Sequence, residues 1–429
     1  MNSRAYLLFI CSVSAMGGLL FGYDWVVIGG AKPFYELFFG ISQSPFMQGV
    51  AMTTALVGCL VGAMVAGALA DRYGRKPLLS TAAVLFTVSA LATGYFDDFV
   101  MFNIARFIGG VGIGVASALS PMYIAEVSPA HIRGRMVSLN QMTIVLGILG
   151  AQIVNMLLAR DTTDPVSQAW NLEWGWRWMF WAETLPAALF LVMSFFIPES
   201  PVYLGLKGLK GSKGSSEAGL RELFTPRYSR VLLLGLIIAV FQQWCGTNVI
   251  FNYAQEIFVC AGFNVDGMFI NIVITGIANV LFTFVALYTI EKWGRRTLML
   301  IGAGGLGIIY AILGACYFVG MTGVLMVALV VAAISCYAMT LGPVTWTLLA
   351  EIFPHRVRGI AMATCTFALW VGCCTLTFFF PPMNATLGTY GSFWVYAAIC
   401  ICTFVFLLRR CPETKGKSLE QLEKELTSL

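Results

Sequence analysis

Asp71-Arg-Tyr-Gly-Arg-Lys76 recurs as Glu291-Lys-Trp-Gly-Arg-Arg296, 220 residues later. Each copy is a short charged turn between two long apolar runs. The pattern extends outward. Ala125-Glu-x-x-Pro129-x-x-x-Arg133-Gly134 recurs as Ala350-Glu-x-x-Pro354-x-x-x-Arg358-Gly359, 225 residues on, and Pro198-Glu-Ser recurs as Pro412-Glu-Thr, 214 residues on. Each motif falls at the same edge of the corresponding apolar run. The chain is therefore two similar halves in the same orientation, a parallel repeat.

The solvent of those halves is lipid. Of 429 residues, 59% are hydrophobic and 11% charged, with mean hydropathy +0.81. A soluble fold could not hide that much apolar side chain. A span needs about 20 apolar residues. Twelve such runs are present, at 5–31, 47–70, 77–96, 99–124, 136–159, 178–197, 230–260, 268–290, 297–319, 323–349, 360–381 and 388–410. Each is expected to be helical, because lipid offers no partner to an unpaired backbone group. The predicted fold class is all-α and integral to the membrane, with twelve transmembrane helices in two pseudo-symmetric six-helix bundles. The domain reading is an N-terminal bundle at 1–198, a cytoplasmic linker at 199–229, a C-terminal bundle at 230–411 and a cytoplasmic tail helix at 412–429.

Basic residues set the orientation. With both termini in the cytoplasm, 22 of the 26 Lys and Arg fall on the inner side; Lys32, Arg160 and Arg177 are in outer loops, and Arg106 is inside a span. That asymmetry matches the positive-inside rule and predicts a multi-pass protein of the plasma or inner membrane. The net charge of +5 thus reports loop topology and does not call for nucleic acid. The apolar run after Arg4 reads as a retained first span. Twelve cysteines sit singly or as Cys373–Cys374 within apolar runs, beside only two histidines. They read as packing residues, with no metal site and no disulfide framework. The glycine runs at 108–117 and 301–307 lie inside spans and read as close helix contacts, not nucleotide loops.

The Gly205–Gly219 stretch, GLKGLKGSKGSSEAG, has flexible-linker composition. About twenty such residues reach roughly 25 Å root-mean-square, enough to join two bundles on one face. In the tail, Ser418-Leu-Glu-Gln421 can form a capping box, and Leu419, Leu422, Leu426 and Leu429 share a helical face.

The first span carries Asp24 within Gly22-Tyr-Asp24. A carboxylate near mid-membrane costs roughly 2.5–3.5 kcal/mol on insertion scales, so it needs a partner and usually has a role. Arg106 is the cation left within a span, and pairing would partly neutralise both. Glu183 in the sixth span is a second candidate proton carrier. A fixed ion pair that only locks packing is the alternative.

A hydroxyl-rich ligand needs groups that both donate and accept, which Gln and Asn supply, and aromatic faces can cover its apolar side. Gln242, Gln243 and Asn248 cluster in the seventh span, and Gly246 is expected to break the helix there, as at other transporter sites.

Together these motifs resemble the sugar porter family of the major facilitator superfamily. The likeness runs through Gly22-Tyr-Asp24, GALADRYGRK ending at Lys76, PMYIAEVSPAHIRGR ending at Arg135, GWRWMF at Gly175–Phe180 and PESP at Pro198–Pro201. It continues through FQQWCGTN at Phe241–Asn248, EKWGRR, GPVTW at Gly342–Trp346, EIFP at Glu351–Pro354 and PETKG at Pro412–Gly416. Within the family the chain is most similar to bacterial xylose–proton symporters and animal glucose transporters. The resemblance implies alternating access with sugar bound at the bundle interface. It implies Asp24 beside Arg106, with the acid as proton acceptor; the animal facilitators lack that acid, which favours coupling here. It adds Gln141, Asn279, Trp346, Trp370 and Phe21 to the sugar site. Asn252 stands where the xylose symporters usually have Tyr. Leu369 stands where Gln or Asn is usual, and removes a hydroxyl partner.

Two further departures bear on conformation. Val202 follows PESP where the family usually has Arg, and the longer helical intracellular segment is replaced by the Gly/Lys/Ser linker. A natural deletion and an engineered shortening both fit; the second is the preferred reading. The resemblance also groups a cytoplasmic gate: Asp71, Arg75, Glu126, Arg133 and Glu199, with counterparts Glu291, Arg295, Glu351, Arg358 and Glu413. The acids are expected to face Arg of the opposite bundle and close the inside. Losing one gate cation at Val202 shifts the balance towards inward-open states.

The function expected is transport of a hexose or pentose such as glucose or xylose, by symport with protons through Asp24 and Arg106. No other cofactor is expected, and the chain is expected to act as a monomer. The alternatives are a uniporter with a structural Asp24–Arg106 pair and a sensor that binds sugar without moving it. An enzyme is disfavoured, since no nucleophile–base or metal cluster stands out.

Overall fold

The computed structural model describes residues 3–129, 132–160, 164–208, 225–353 and 357–415. The tail helix expected at 412–429 lies almost wholly outside the described residues. Among those described, every regular element is helical.

In the first repeat the long helices are α1 (Ser3–Phe38), α2 (Pro45–Tyr73), α3 (Arg75–Tyr95), α4 (Phe99–Val127) and α5 (Arg133–Leu158). They begin where local chemistry directs. Ser44 caps α2 by accepting from Met47 N, with Pro45 in the first turn, and Asp98 caps α4 by accepting from Val100 N and Met101 N. The sixth span is not one helix. After α6 (Pro165–Trp170) and a π-helical stretch, Asn171–Gly175, come α7 (Trp176–Trp181) and α8 (Thr184–Ser194). Pro186 cannot donate to the Ala182 carbonyl, so the helical ladder opens at Ala182–Glu183.

α9 (Pro201–Gly208) follows. It corrects the start of the flexible linker. Ser200 accepts from Tyr203 N and Pro201 occupies the first turn, which is enough to start a helix before the glycines. Residues 209–224 lie outside the description. The second repeat comprises α10 (Pro226–Trp244), α11 (Thr247–Asn252), α12 (Ala254–Cys260), α13 (Val265–Trp293), α14 (Arg295–Phe318), α15 (Val324–Met339), α16 (Leu341–Ile352) and α17 (Arg358–Arg410).

Among the described residues, ten stretches are long and apolar enough to cross a membrane. One of them, Ile360–Arg410, is two spans joined at Gly388, whose φ of 69° is non-helical. The broken sixth span escapes a length criterion. With these two, the twelve expected spans are accounted for. Two positions counted as outer loop belong to helices: Lys32 lies in α1 and Arg177 in α7, and both are buried.

Cα packing divides the chain into two compact units. The first holds residues up to 210 together with Phe251–Gln255 and Asn264–Gly276; the second holds Gly211–Ile250, Glu256–Phe263 and the rest from Ile277. The first is built on packing of α2 and α3 against α4 and of α1 against α5; the second on packing of α10 and α14 against α17.

The recurring charged turn has the same geometry in both units. Gly74 (φ 100°) joins α2 to α3, and Gly294 (φ 83°) joins α13 to α14. The helix that follows each glycine is capped from a distance. Glu199 Oε1 accepts from Arg75 N at 2.9 Å and Lys76 N at 3.3 Å, while Glu413 Oε1 accepts from Arg295 N at 3.0 Å. A carboxylate at a helix N-terminus meets unpaired N–H groups and the positive end of the dipole.

Candidate functional site

In the first unit, α1 brings Asp24 against Arg106 of α4. Both residues are 2% exposed. Arg106 Nη1 donates to Asp24 Oδ1, and Nη2 donates to the Asp24 carbonyl oxygen at 3.3 Å. The guanidinium also lies over the Phe180 ring, 5.3 Å from its centroid. The pairing expected from the sequence is thus formed. Asp24 Oδ2 and Arg106 Nε make no hydrogen bond among the described residues.

Glu183 sits at the break between α7 and α8, 2% exposed, within electrostatic reach of Asp24 and Arg106. The proline-induced break therefore delivers an acid to the ion pair. Two carboxyls and one guanidinium are thus buried within electrostatic reach of one another.

The candidate sugar residues fall in both units and are taken unit by unit. In the first, Phe21 of α1 is half-buried and meets Trp25 edge to face at 5.7 Å. Gln141 of α5 is half-buried, and Asn252 at the end of α11 is buried. Sequence reasoning passed over Gln152 and Asn155, three turns and more beyond Gln141 on α5. Both are buried; Asn155 Nδ2 donates to Val27 O at 3.2 Å, and Gln152 Oε1 has no hydrogen-bond partner among the described residues. Their signal was an amide within a span.

In the second unit, α10 ends at Trp244 and Gly246 adopts φ 87°, with the Tyr396 ring 2.8 Å from where a Cβ would stand. The expected helix break is formed, and it needs glycine on both counts. It gathers a directional chain of amides. Asn248 Nδ2 donates to Gln243 Oε1, Gln243 Nε2 donates to Gln242 Oε1 at 2.6 Å, and Gln242 Nε2 donates to the Tyr337 hydroxyl at 3.0 Å. Tyr337 was not anticipated, although a phenol in an apolar span needs a partner. Asn279 of α13 and Trp370 of α17 are buried, Trp346 of α16 is 36% exposed, and Leu369 is buried beside Trp370.

The gate residues that can be described pair within their own unit, whereas the sequence reading had the acids face the opposite repeat. Arg75 donates to both Glu126 oxygens, at 3.1 and 3.0 Å, and the Ser200 hydroxyl also bonds Glu126. In the second unit Arg295 Nη2 donates to Glu351 at 2.9 Å, and Thr414 Oγ1 donates to Glu351 at 2.5 Å. The reason lies within each unit. Glu199 and Glu413 seat each arginine's backbone, which aims its side chain at the acid closing the neighbouring helix. The side chains of Asp71, Arg133, Glu291 and Arg358 lie outside what the structure describes.

Comparison with known proteins agrees with this architecture. The family model described as "Sugar (and other) transporter" matches residues 10–214 and 209–426. The chain is 35% identical over 449 residues to the arabinose–proton symporter of Bacillus subtilis, covering 99% of this chain and 96% of the relative. It is 34% identical over 480 residues to the D-xylose–proton symporter of Escherichia coli, covering 98% and 96%. The inward-open structure of the xylose transporter XylE from E. coli superposes with a TM-score of 0.85 at 34% identity, over 98% of this chain and 100% of that one. The chain therefore belongs to the sugar transporter family of the major facilitator fold, and is a multi-pass membrane protein that transports sugar.

Proposed function

We propose that this transporter is a sugar–proton symporter that moves a hexose or pentose, such as xylose or glucose, by alternating access. The observation that carries the proposal is the buried triad of Asp24, Arg106 and Glu183, with Asp24 Oδ2 unbonded among the described residues. Protonation of Asp24 weakens its hold on Arg106 and changes the stability of the state in which the pair is closed. Glu183 is the second site that the same proton can occupy. One proton moving down 100 mV supplies about 2.3 kcal/mol, about fifty-fold in sugar accumulation.

Sugar recognition is assigned to the amide chain Gln242, Gln243 and Asn248, with Gln141, Asn252 and Asn279 as further amides. Phe21, Trp346 and Trp370 supply aromatic faces. Arg75, Glu126 and Glu199 with Arg295, Glu351 and Glu413 hold the inner helix ends. The chain acts as a monomer in the cell membrane, with both termini cytoplasmic, and protons are its sole coupling ion.

The test is uptake of labelled xylose and glucose into vesicles, with and without a pH gradient, for the native chain and Asp24→Asn. Symport predicts gradient-driven accumulation by the native chain, and exchange without accumulation by the variant. Accumulation undiminished in Asp24→Asn removes Asp24 from coupling. Exchange that never responds to the gradient identifies a uniporter, and binding without exchange a sensor.

A further inference from the structure

Lys32 lies two turns beyond Asp24 on α1 and takes no part in the triad. Its side chain is 1% exposed. An ammonium in that setting is retained only with partners, because desolvation is costly. Glu36, one turn on, places Oε1 3.3 Å from Nζ. On another side the Tyr253 ring stands with its centroid 4.9 Å from Nζ, and Tyr253 is itself fully buried.

The same face of α1 makes a second contact with that segment. Gly29 is three residues before Lys32, and a Cβ there would stand 3.0 Å from the carbonyl oxygens of Phe251 and Asn252. Glycine lets the backbone of 251–252 lie directly on α1. Phe34 stacks on Phe269 at 6.5 Å, so Asn264–Gly276 rests on the same end of the helix.

The segment so gripped cannot position itself. α11 has six residues between the Gly246 break and the bend at Tyr253. So short a helix has few internal hydrogen bonds, and where it stands depends on what holds its ends. At the Tyr253 end, Gly29 and Lys32 are two of the contacts that hold it.

We propose that Lys32 is a positioning residue for the sugar-binding segment: held by Glu36, its ammonium docks the Tyr253 ring and sets where Asn252 stands. This rests on the sugar-transport reading of that segment. The attraction is electrostatic, between cation and ring quadrupole, and is strongest when both are desolvated. Arginine can supply the same cation to the ring. Methionine fills the space without the charge. Lys32→Met with Glu36→Gln removes both charges together, so no buried carboxylate is left alone.

The test is equilibrium exchange of labelled xylose and glucose in proteoliposomes, with thermal unfolding of the same preparations. Lys32→Met and the double variant are expected to raise KM about five- to thirtyfold, with the maximal exchange rate within about twofold of the native chain. Lys32→Arg is expected to keep a near-native KM. A double variant with native KM overturns the proposal. So does a loss of maximal rate and thermal stability shared by the arginine and methionine variants, since that is a packing role. A native chain that exchanges no sugar overturns the transport reading and this inference with it.

Discussion

The Tyr337 hydroxyl accepts from Gln242 Nε2 at 3.0 Å and ends the amide chain that begins at Asn248. Each member donates in the same sense, so the last acceptor fixes the orientation of all three amides. It also leaves the phenol hydrogen free to point elsewhere. Tyr337→Phe removes that acceptor and lets Gln242 rotate. A hydrogen bond of this kind is worth about 0.5–1.5 kcal/mol, so KM for sugar is expected to rise about two- to tenfold. Because the donor and acceptor pattern changes, competition by hydroxyl-epimeric sugars is expected to reorder as well. Equal KM and an unchanged order of competitors would show that the chain is indifferent to its end.

The Asp24–Arg106 pair separates a stability effect from a coupling effect. Arg106→Met leaves a carboxylate buried at 2% exposure beside a second acid. Removing one partner of a buried pair typically costs about 3–5 kcal/mol. The single variant is therefore expected to unfold at clearly lower temperature. Asp24→Asn with Arg106→Met removes both charges and is expected to recover most of that loss. It should still fail to accumulate sugar. Thermal unfolding together with gradient-driven uptake reads both effects. A double variant as unstable as Arg106→Met would place the cost outside the pair.

Much of this arrangement is legible in the chain, for physical reasons that differ by element. Spans are legible because lipid demands long apolar runs, and the repeat because charged turns stand out between them. Asp24 and Arg106 pair predictably because each is intolerable alone. The break at Glu183 is less visible, since Trp181 and Leu185 are as apolar as an intact helix requires and only Pro186 marks it. Lys32 reads as loop because a basic residue ends the apolar run. Its i+4 acid, Glu36, was in view, yet nothing local says that Tyr253 covers the pair. The acids Glu126 and Glu351 recur, but recurrence does not reveal whether an acid meets an arginine of its own repeat. That depends on Glu199 and Glu413, more than 60 residues away in each case.

Those two distant caps make a symmetric prediction. Glu199→Gln and Glu413→Gln keep the shape but remove the charge at the first turns of α3 and α14. Loss of a cap's charge at a helix N-terminus costs about 0.3–1 kcal/mol. Gly74→Ala and Gly294→Ala should cost more. Each forces a side chain into the left-handed region, where strain is about 1–3 kcal/mol, and at Gly294 the added Cβ would stand 2.6 Å from Glu413 Oε2. Thermal unfolding is expected to rank the alanine variants below the glutamine variants, in the same order in both repeats. A marked difference between the two repeats would show that the motif is shared in sequence but not in mechanical duty.

Val202 offers the sharpest test of the inner face. It lies in the first turn of α9, 45% exposed, directly after the Pro-Glu-Ser stretch whose Glu199 and Ser200 are already bonded to Arg75 and Glu126. An arginine restored at 202 adds a cation without displacing those bonds, so it is available to other acids of the inner face. One partly exposed pair is worth no more than about 1 kcal/mol, which limits the population shift to about fivefold. Val202→Arg is therefore expected to slow maleimide labelling of a cysteine placed at Gln141 from the cytoplasmic side of inside-out vesicles, by up to that factor. Exchange KM measured from the opposite side should fall correspondingly. Labelling at the native rate would mean that the missing cation has no part in which way the site faces.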